Sequence, residues 1–147
     1  MKAKSGFTLV EILIVVVILG ILAAIVIPQF TEASTEAKTS ALCTDLQSMR
    51  SQIELYKIQH NDQLPSSAAV GFINALIGQT DQYGNAGTDF GPYLQQIPKN
   101  QFVSPEANQD DITVEAGTTS LGGGDVGWHF DTDTGQFHAD DDAHTAL

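Results

Sequence analysis

The sequence predicts an α+β protein in which the first half of one long N-terminal helix spans a membrane and the second half packs on a small antiparallel sheet. Three observations carry this. From Phe7 to Ile27 only Thr8, Glu11 and Gly20 interrupt an apolar run. A striped pattern of helical period follows that run. The last third of the chain holds short β-prone segments parted by turn residues.

The apolar run comes first. About 21 residues at roughly 1.5 Å each cover the ~30 Å hydrocarbon core of a bilayer. Its β-branched residues Val15, Val16, Val17 and Ile18 do not argue against helix, because in lipid a backbone must satisfy its own hydrogen bonds. Lys2 and Lys4 precede the run, so the positive-inside bias keeps the N-terminus cytoplasmic and sends the remainder outward. Pro28 removes one backbone donor and frees the carbonyl near Ala24, which predicts a kink at the outer membrane face.

Glu11 is out of place in such a run. A carboxylate at this depth costs at least about 2.5–3.5 kcal/mol on insertion scales and marks a functional position. The plainer alternative is an acid near the helix start that snorkels to the headgroups.

Gly6-Phe7-Thr8-Leu9-Val10-Glu11, after a short basic leader and before an apolar helix, resembles the N-terminus of type IV prepilins and type II secretion pseudopilins. The resemblance covers residues 1–30 closely. It implies a pilin-like fold, and cleavage by a prepilin peptidase between Gly6 and Phe7. It also implies N-methylation of the new Phe7 amino group. Glu11 would then neutralise the amino terminus of a neighbouring subunit, and Glu11 and Pro28 become the assembly residues. A conventional secretory signal would place its cleavage site after the apolar core, with Leu22-Ala23-Ala24 as a weak version, and would hold no acid inside it. A plain anchor without an assembly role is the other competing reading.

On this reading the chain divides into a cleaved leader (1–6), a transmembrane or filament-core helix (7–29), an amphipathic helical half (30–62) and a small extracytoplasmic region (63–147). In the amphipathic half Leu42, Leu46, Met49, Ile53 and Tyr56 recur at steps of four and three, with Ala33, Ala37 and Ala41 leading in. Glu32, Glu36, Lys38, Asp45, Arg50, Glu54 and Lys57 occupy the other faces. The helix should end near His60-Asn61-Asp62, before Pro65.

Beyond it, Ser66-Ser67 is a candidate cap for a short helix running through about Ile77 and stopped by Gly78. Residues 79–91 read as a loop. Gly91-Pro92-Tyr93-Leu94 and Ile97-Pro98 suggest a bend, a turn of helix and an extended piece. This order is similar to that of the major pseudopilin of type II secretion. The aspartate-proline-tryptophan-glycine step of that subfamily is replaced by Lys99-Asn100-Gln101-Phe102.

In the C-terminal third, Ile112-Thr113-Val114 is β-prone. Trp128-His129-Phe130 and Phe137-His138-Ala139 flank the turn Thr132–Gly135. This loop sets Phe130 opposite Phe137 and Trp128 opposite Ala139 on one apolar face, with His129 opposite His138 on the outer face. Gly122-Gly123-Gly124 reads as a flexible connector.

The chain of 147 residues carries 18 acidic side chains against 6 Lys and Arg, a balance that disfavours nucleic acid and anionic lipid as partners. Cys43 is the lone cysteine, which excludes an internal disulfide and fits a small apolar helix position. Asp131, Asp133 and Asp142 match positions one, three and twelve of a calcium loop, but the glycine falls one place early. Relatives in the pseudopilin group hold Ca2+ near their C-terminal strands. Asp125, Asp131, Asp133, Asp140 and Asp142, with Asp141, offer enough oxygen ligands for a similar site, with no motif to carry over residue by residue, against the plainer reading of a solvated acidic tail. The His129–His138 pair with Asp131 or Asp140 is a second candidate, for zinc or another transition metal. No phosphate loop, HExxH or GxSxG is present, and the chain reads as no enzyme.

The expected function is that of a structural pseudopilus subunit in the bacterial inner membrane, with its C-terminal domain periplasmic. Its partners would be further copies of itself, the prepilin peptidase, minor pseudopilins and the inner-membrane assembly platform. The alternatives are a type IV pilin for adhesion, motility or DNA uptake, and a membrane-tethered metal-binding module.

Overall fold

A computed structural model describes residues 6–147. The leader lysines Lys2 and Lys4 lie outside the described residues. Helix α1 runs Leu9–Gln59 and continues through Pro28 without a break. The chain forms two compact units, which divide between Ala37 and Lys38.

In the first unit every described residue is exposed. This part of α1 is long and apolar enough to cross a membrane. Thr31 returns its hydroxyl to the carbonyl of Ile27 at 3.1 Å, and Thr35 does the same to Thr31. Polar side chains thus close onto their own helix just after the apolar run. Ala33 and Ala37 stay exposed, as does Ala41 in the second unit, so the alanines that lead into the stripe take no part in the core.

The second unit begins with the buried stripe itself. Leu42, Leu46, Met49, Ile53 and Tyr56 are the buried residues of α1, as their spacing requires. The helix stops because Asn61 and Asp62 adopt left-handed backbone angles, with φ of 54° and 65°. The Asp62 amide then reaches back to the carbonyl of Lys57 at 2.9 Å, satisfying an acceptor that the helix end leaves open.

Residues 65–77 depart from the single short helix expected. Pro65–Ser67 forms one 3-10 turn, and α2 (Phe72–Ile77) starts separately from Gly71 at φ 84°. Ser67 is not a cap; its hydroxyl bonds backward to the carbonyl of Leu64 at 2.7 Å. Gly78 ends α2 as expected, its amide meeting the carbonyl of Asn74. Residues 79–91 are a pinned loop: Thr80 and Phe90 exchange backbone hydrogen bonds at 3.0 Å. The buried His60 ring holds Thr80 Oγ1 at 2.8 Å and stacks on Tyr56 at 3.7 Å. The turn of helix expected near Tyr93 is absent; instead the amides of Tyr93 and Leu94 share the carbonyl of Leu76.

The sheet contains β1 (Ile112–Glu115), β2 (Trp128–Asp131) and β3 (Phe137–Ala139) in that spatial order. The hairpin register is the expected one, with Phe130 opposite Phe137, Trp128 opposite Ala139 and His129 opposite His138. The sheet is mixed rather than wholly antiparallel, because β1 runs parallel to β2. The connection 116–127 carries the chain back to the starting end of β1, using positive φ at Gly117, Gly122 and Gly124. Nor is the triple glycine a loose connector. The Gly124 amide donates to the carbonyl of Asp140, and the Gly122 amide donates to its carboxylate.

The sheet's apolar face meets the α1 stripe. Leu42, Leu46, Met49 and Ile53 pack with Phe72, Leu76, Ile97, Trp128, Phe130, Phe137 and Ala139 in one cluster. The indole N–H of Trp128 donates to the carbonyl of Pro98 at 2.8 Å, so this buried ring leaves no polar atom unpaired. Asn100, fully buried, donates to the carbonyl of Gly127 and to Asp141, both at 3.0 Å. It stands where the subfamily's aspartate-proline-tryptophan-glycine step is missing.

Candidate assembly site

The N-terminus of α1 is built by two residues three apart. Thr8 precedes the first helical residue and receives the Glu11 amide on its hydroxyl at 3.3 Å. Glu11 Oε2 accepts from the Thr8 amide at 2.7 Å and from the Thr8 hydroxyl at 2.8 Å. This reciprocal arrangement is a capping box, and it places the carboxylate where the positive end of the helix dipole favours an anion. A carboxylate inside an apolar segment thus has two polar contacts within its own chain, and the Glu11 amide adds a third to the cap.

Among the described residues up to Ile27, no other side chain around this cap is polar. Phe7 is 84% exposed, and Leu9, Ile12, Leu13, Val16 and Val17 line a shallow apolar hollow with it. Gly6 and Gly20 have open space on every side, with no heavy atom within 4 Å of an added Cβ. The cap and its apolar surroundings suit contact with lipid or other apolar helices. Reading by hydropathy alone misses Thr8, although the Thr-x-x-Glu spacing before an apolar run signals a capping box.

The candidate metal ligands are distributed differently. Asp131 is buried, and both its oxygens are engaged. Oδ1 accepts from the amides of Gly117 and Asp133, each at 2.8 Å, and Oδ2 accepts from the Thr134 hydroxyl at 2.6 Å. The Thr134 hydroxyl foremost, with these amides, holds the Asp131 carboxyl down at about 2. Asp140 is also buried, beside the triple glycine. Burial pushes its pKa up, and the Gly122 and Gly123 amides oppose that rise. Asp141 accepts from Asn100, from the Ala143 amide and from the His144 ring. Asp125, Asp133 and Asp142 are exposed. Among the described residues no group of three or more His, Cys, Asp or Glu is placed to hold one ion. The buried carboxylates of Asp131, Asp140 and Asp141 act as caps for loop amides.

The two hairpin histidines are not on an exposed face. The segment after β1 meets His129, which is fully buried with Nε2 at 2.9 Å from the carbonyl of Gly117. His138 is half-buried.

A membrane-length N-terminal helix with a capped acid, joined to a small α+β domain, defines a pilin-like class of single-span assembly subunits. The Prokaryotic N-terminal methylation motif matches residues 1–27. The chain is 42% identical to type II secretion system core protein G of Pseudomonas aeruginosa, over 71% of this chain and 72% of that one. It is 28% identical to the Vibrio cholerae protein of the same name, over 96% and 97%. A fimbrial protein of Pseudomonas aeruginosa is 41% identical over 55% of this chain and 52% of that one. No solved structure matches the chain. The chain belongs to the type II secretion system core protein G family, the major pseudopilins.

Proposed function

We infer that this chain is a structural, non-enzymatic subunit of a type II secretion pseudopilus, assembling through its N-terminal helix to support protein export. The observation that carries the reading is the joining of the methylation motif to a domain similar over most of its length to core protein G relatives. The prepilin peptidase cuts between Gly6 and Phe7, and Phe7 is methylated. The subunit waits in the inner membrane with its N-terminus cytoplasmic and its domain periplasmic, until an assembly platform extracts it.

During extraction, apolar surface leaves lipid for a core of neighbouring helices, which gives little net hydrophobic gain because lipid tails already satisfy it. Close packing and polar pairing supply the rest. Glu11 is satisfied by Thr8 within the lone subunit. In the filament, the Phe7 amino group of a neighbour offers a full positive charge in place of a hydroxyl and an amide, a stronger partner for a carboxylate away from water.

The test is the intact mass and N-terminal sequence of the protein from its native membranes. A chain beginning at Phe7 with one added methyl group is expected. An uncut chain in a host that has the peptidase overturns the reading in favour of a membrane-tethered module. Deletion separates the two filaments: lost exoprotein secretion with surface fibres retained supports the pseudopilus, and lost fibres with secretion intact point to a type IV pilus.

A further inference from the structure

Four histidines occur in the chain. His60 engages both ring nitrogens, with the Tyr56 carbonyl at 2.9 Å and Thr80 Oγ1 at 2.8 Å, and His144 is paired with Asp141. The other two face each other across the hairpin as a directly opposed pair. Among the described residues, the buried side-chain nitrogen and oxygen atoms without a hydrogen-bond partner are three, all on this pair: His129 Nδ1, His138 Nδ1 and His138 Nε2. A buried polar atom left unpaired costs on the order of 1–3 kcal/mol, and three in one place call for an explanation.

The His129 tautomer gives direction to that explanation. A carbonyl oxygen can only accept, so the contact with Gly117 puts a proton on Nε2, and in the neutral ring Nδ1 is then the lone pair. A ring that donates one N–H to a backbone carbonyl and presents the other nitrogen unprotonated has the arrangement of a metal-ligating imidazole. His138 contributes the other two unpartnered nitrogens, on the residue directly opposite.

We propose that His129 and His138 form a two-imidazole site for a borderline transition-metal ion such as Zn2+. Opposed residues of an antiparallel pair carry their Cβ atoms about 4.5–5.5 Å apart, close enough for both rings to reach one ion. Imidazole is a ligand type that zinc, copper and nickel share. No third His, Cys, Asp or Glu joins the pair among the described residues, so water or backbone oxygen completes the shell. A cleft of about 490 Å³ is lined by Arg50, Gln136, Phe137, His138 and Leu147. The charges acting on the pair come from Glu115 on β1, Asp131 on β2, Asp140 after β3 and Arg50 on α1. Three carboxylates against one guanidinium favour a cation there, and Arg50 is already engaged by two backbone carbonyls.

The test is Zn2+ titration of the full chain in detergent at neutral pH, read by competition with a chromophoric chelator. One equivalent is expected, with affinity reduced at least tenfold in His138→Gln and in His129→Gln and unchanged in His144→Gln. Because His129 is buried and its variant can misfold, His138→Gln with an unaltered circular dichroism spectrum is the deciding variant. No zinc bound by the wild-type chain, or equal affinity in the folded His138→Gln variant, overturns the site.

Discussion

The guanidinium of Arg50 donates to the carbonyl of Phe137 through both Nε, at 3.0 Å, and Nη2, at 2.8 Å, across 87 residues of chain. The Asp131 amide bonds to the Gln136 carbonyl, so the carbonyl of the next residue, Phe137, turns away from β2 and would otherwise lack a strand partner. Nη2 also reaches the backbone oxygen of Leu147 at 2.8 Å. One side chain on α1 therefore fixes the last strand and the C-terminal segment beyond it. Replacing Arg50 with Met should remove about 1.5–3 kcal/mol, the usual scale for hydrogen bonds to a charged group. Arg50→Lys should recover only part of this, because an ammonium lacks the planar fork. Chemical denaturation of the two variants checks both values.

Thr8 should matter to assembly through Glu11. Thr8→Ser keeps the hydroxyl and should give wild-type filament yield, whereas Thr8→Val loses two of the three contacts within the cap. The loss of such a cap costs about 1 kcal/mol in ordinary helices. Glu11→Ala or Glu11→Val should insert normally in membranes yet assemble poorly. Wild-type filament yield from either Glu11 variant would falsify its role in assembly.

Two apolar residues of the same helix should behave oppositely. Leu46 is 1% exposed and Ile58 is 79% exposed. Leu46→Ala should cost about 2–5 kcal/mol through lost burial and a cavity. Ile58→Ala should stay within about 0.5 kcal/mol. Thermal unfolding followed by circular dichroism separates them.

Alkaline pH should loosen the α1–loop junction at Tyr93. Its hydroxyl donates to Gln59 Oε1 at 2.6 Å. Burial, with a smaller contribution from Tyr56, pushes its pKa up to about 12 from 10.0. A raised pKa favours the neutral phenol in the folded chain. Its contribution is therefore complete below pH 10 and is lost as pH rises from 10 to about 12. Phenolate absorbance should show a late step near pH 12 that Tyr93→Phe removes.

Gly127 admits no side chain. A Cβ there would lie 1.9 Å from the Gln109 carbonyl oxygen, and that contact is backbone, which cannot swing aside. Gly127→Ala should destabilise the domain by about 3 kcal/mol or more and lower its yield. Gly117→Ala meets open space but sits at φ 77°, so a smaller penalty from backbone strain is expected there. Unfolding midpoints of the two variants give the comparison.

Much of this architecture is legible in the residues because period and burial agree. The stripe from Leu42 to Tyr56 recurs at helical spacing and is the buried face of α1. A loop of Thr132–Gly135 gives the observed hairpin register. The parallel β1 is not legible, since strand direction depends on where a glycine-rich connection returns. The burial of His129 is hidden for a related reason: alternation assigns it to the far face, where the folded connection after β1 brings the Gly117 carbonyl onto its ring. In the candidate site, Glu11 stands out as an acid among apolar residues. Thr8 does not, because a single hydroxyl at a helix start is unexceptional until its spacing from the acid is read as a cap.

The short third strand has a further consequence. In the proposed filament, copies of this domain stand side by side at very high local concentration, the condition under which an open strand edge recruits another strand and starts aggregation. β3 offers only three residues, and its outward acceptor at Phe137 is already occupied by Arg50. The domain is thereby guarded against zipping to its neighbours, which leaves orderly stacking to the N-terminal helices.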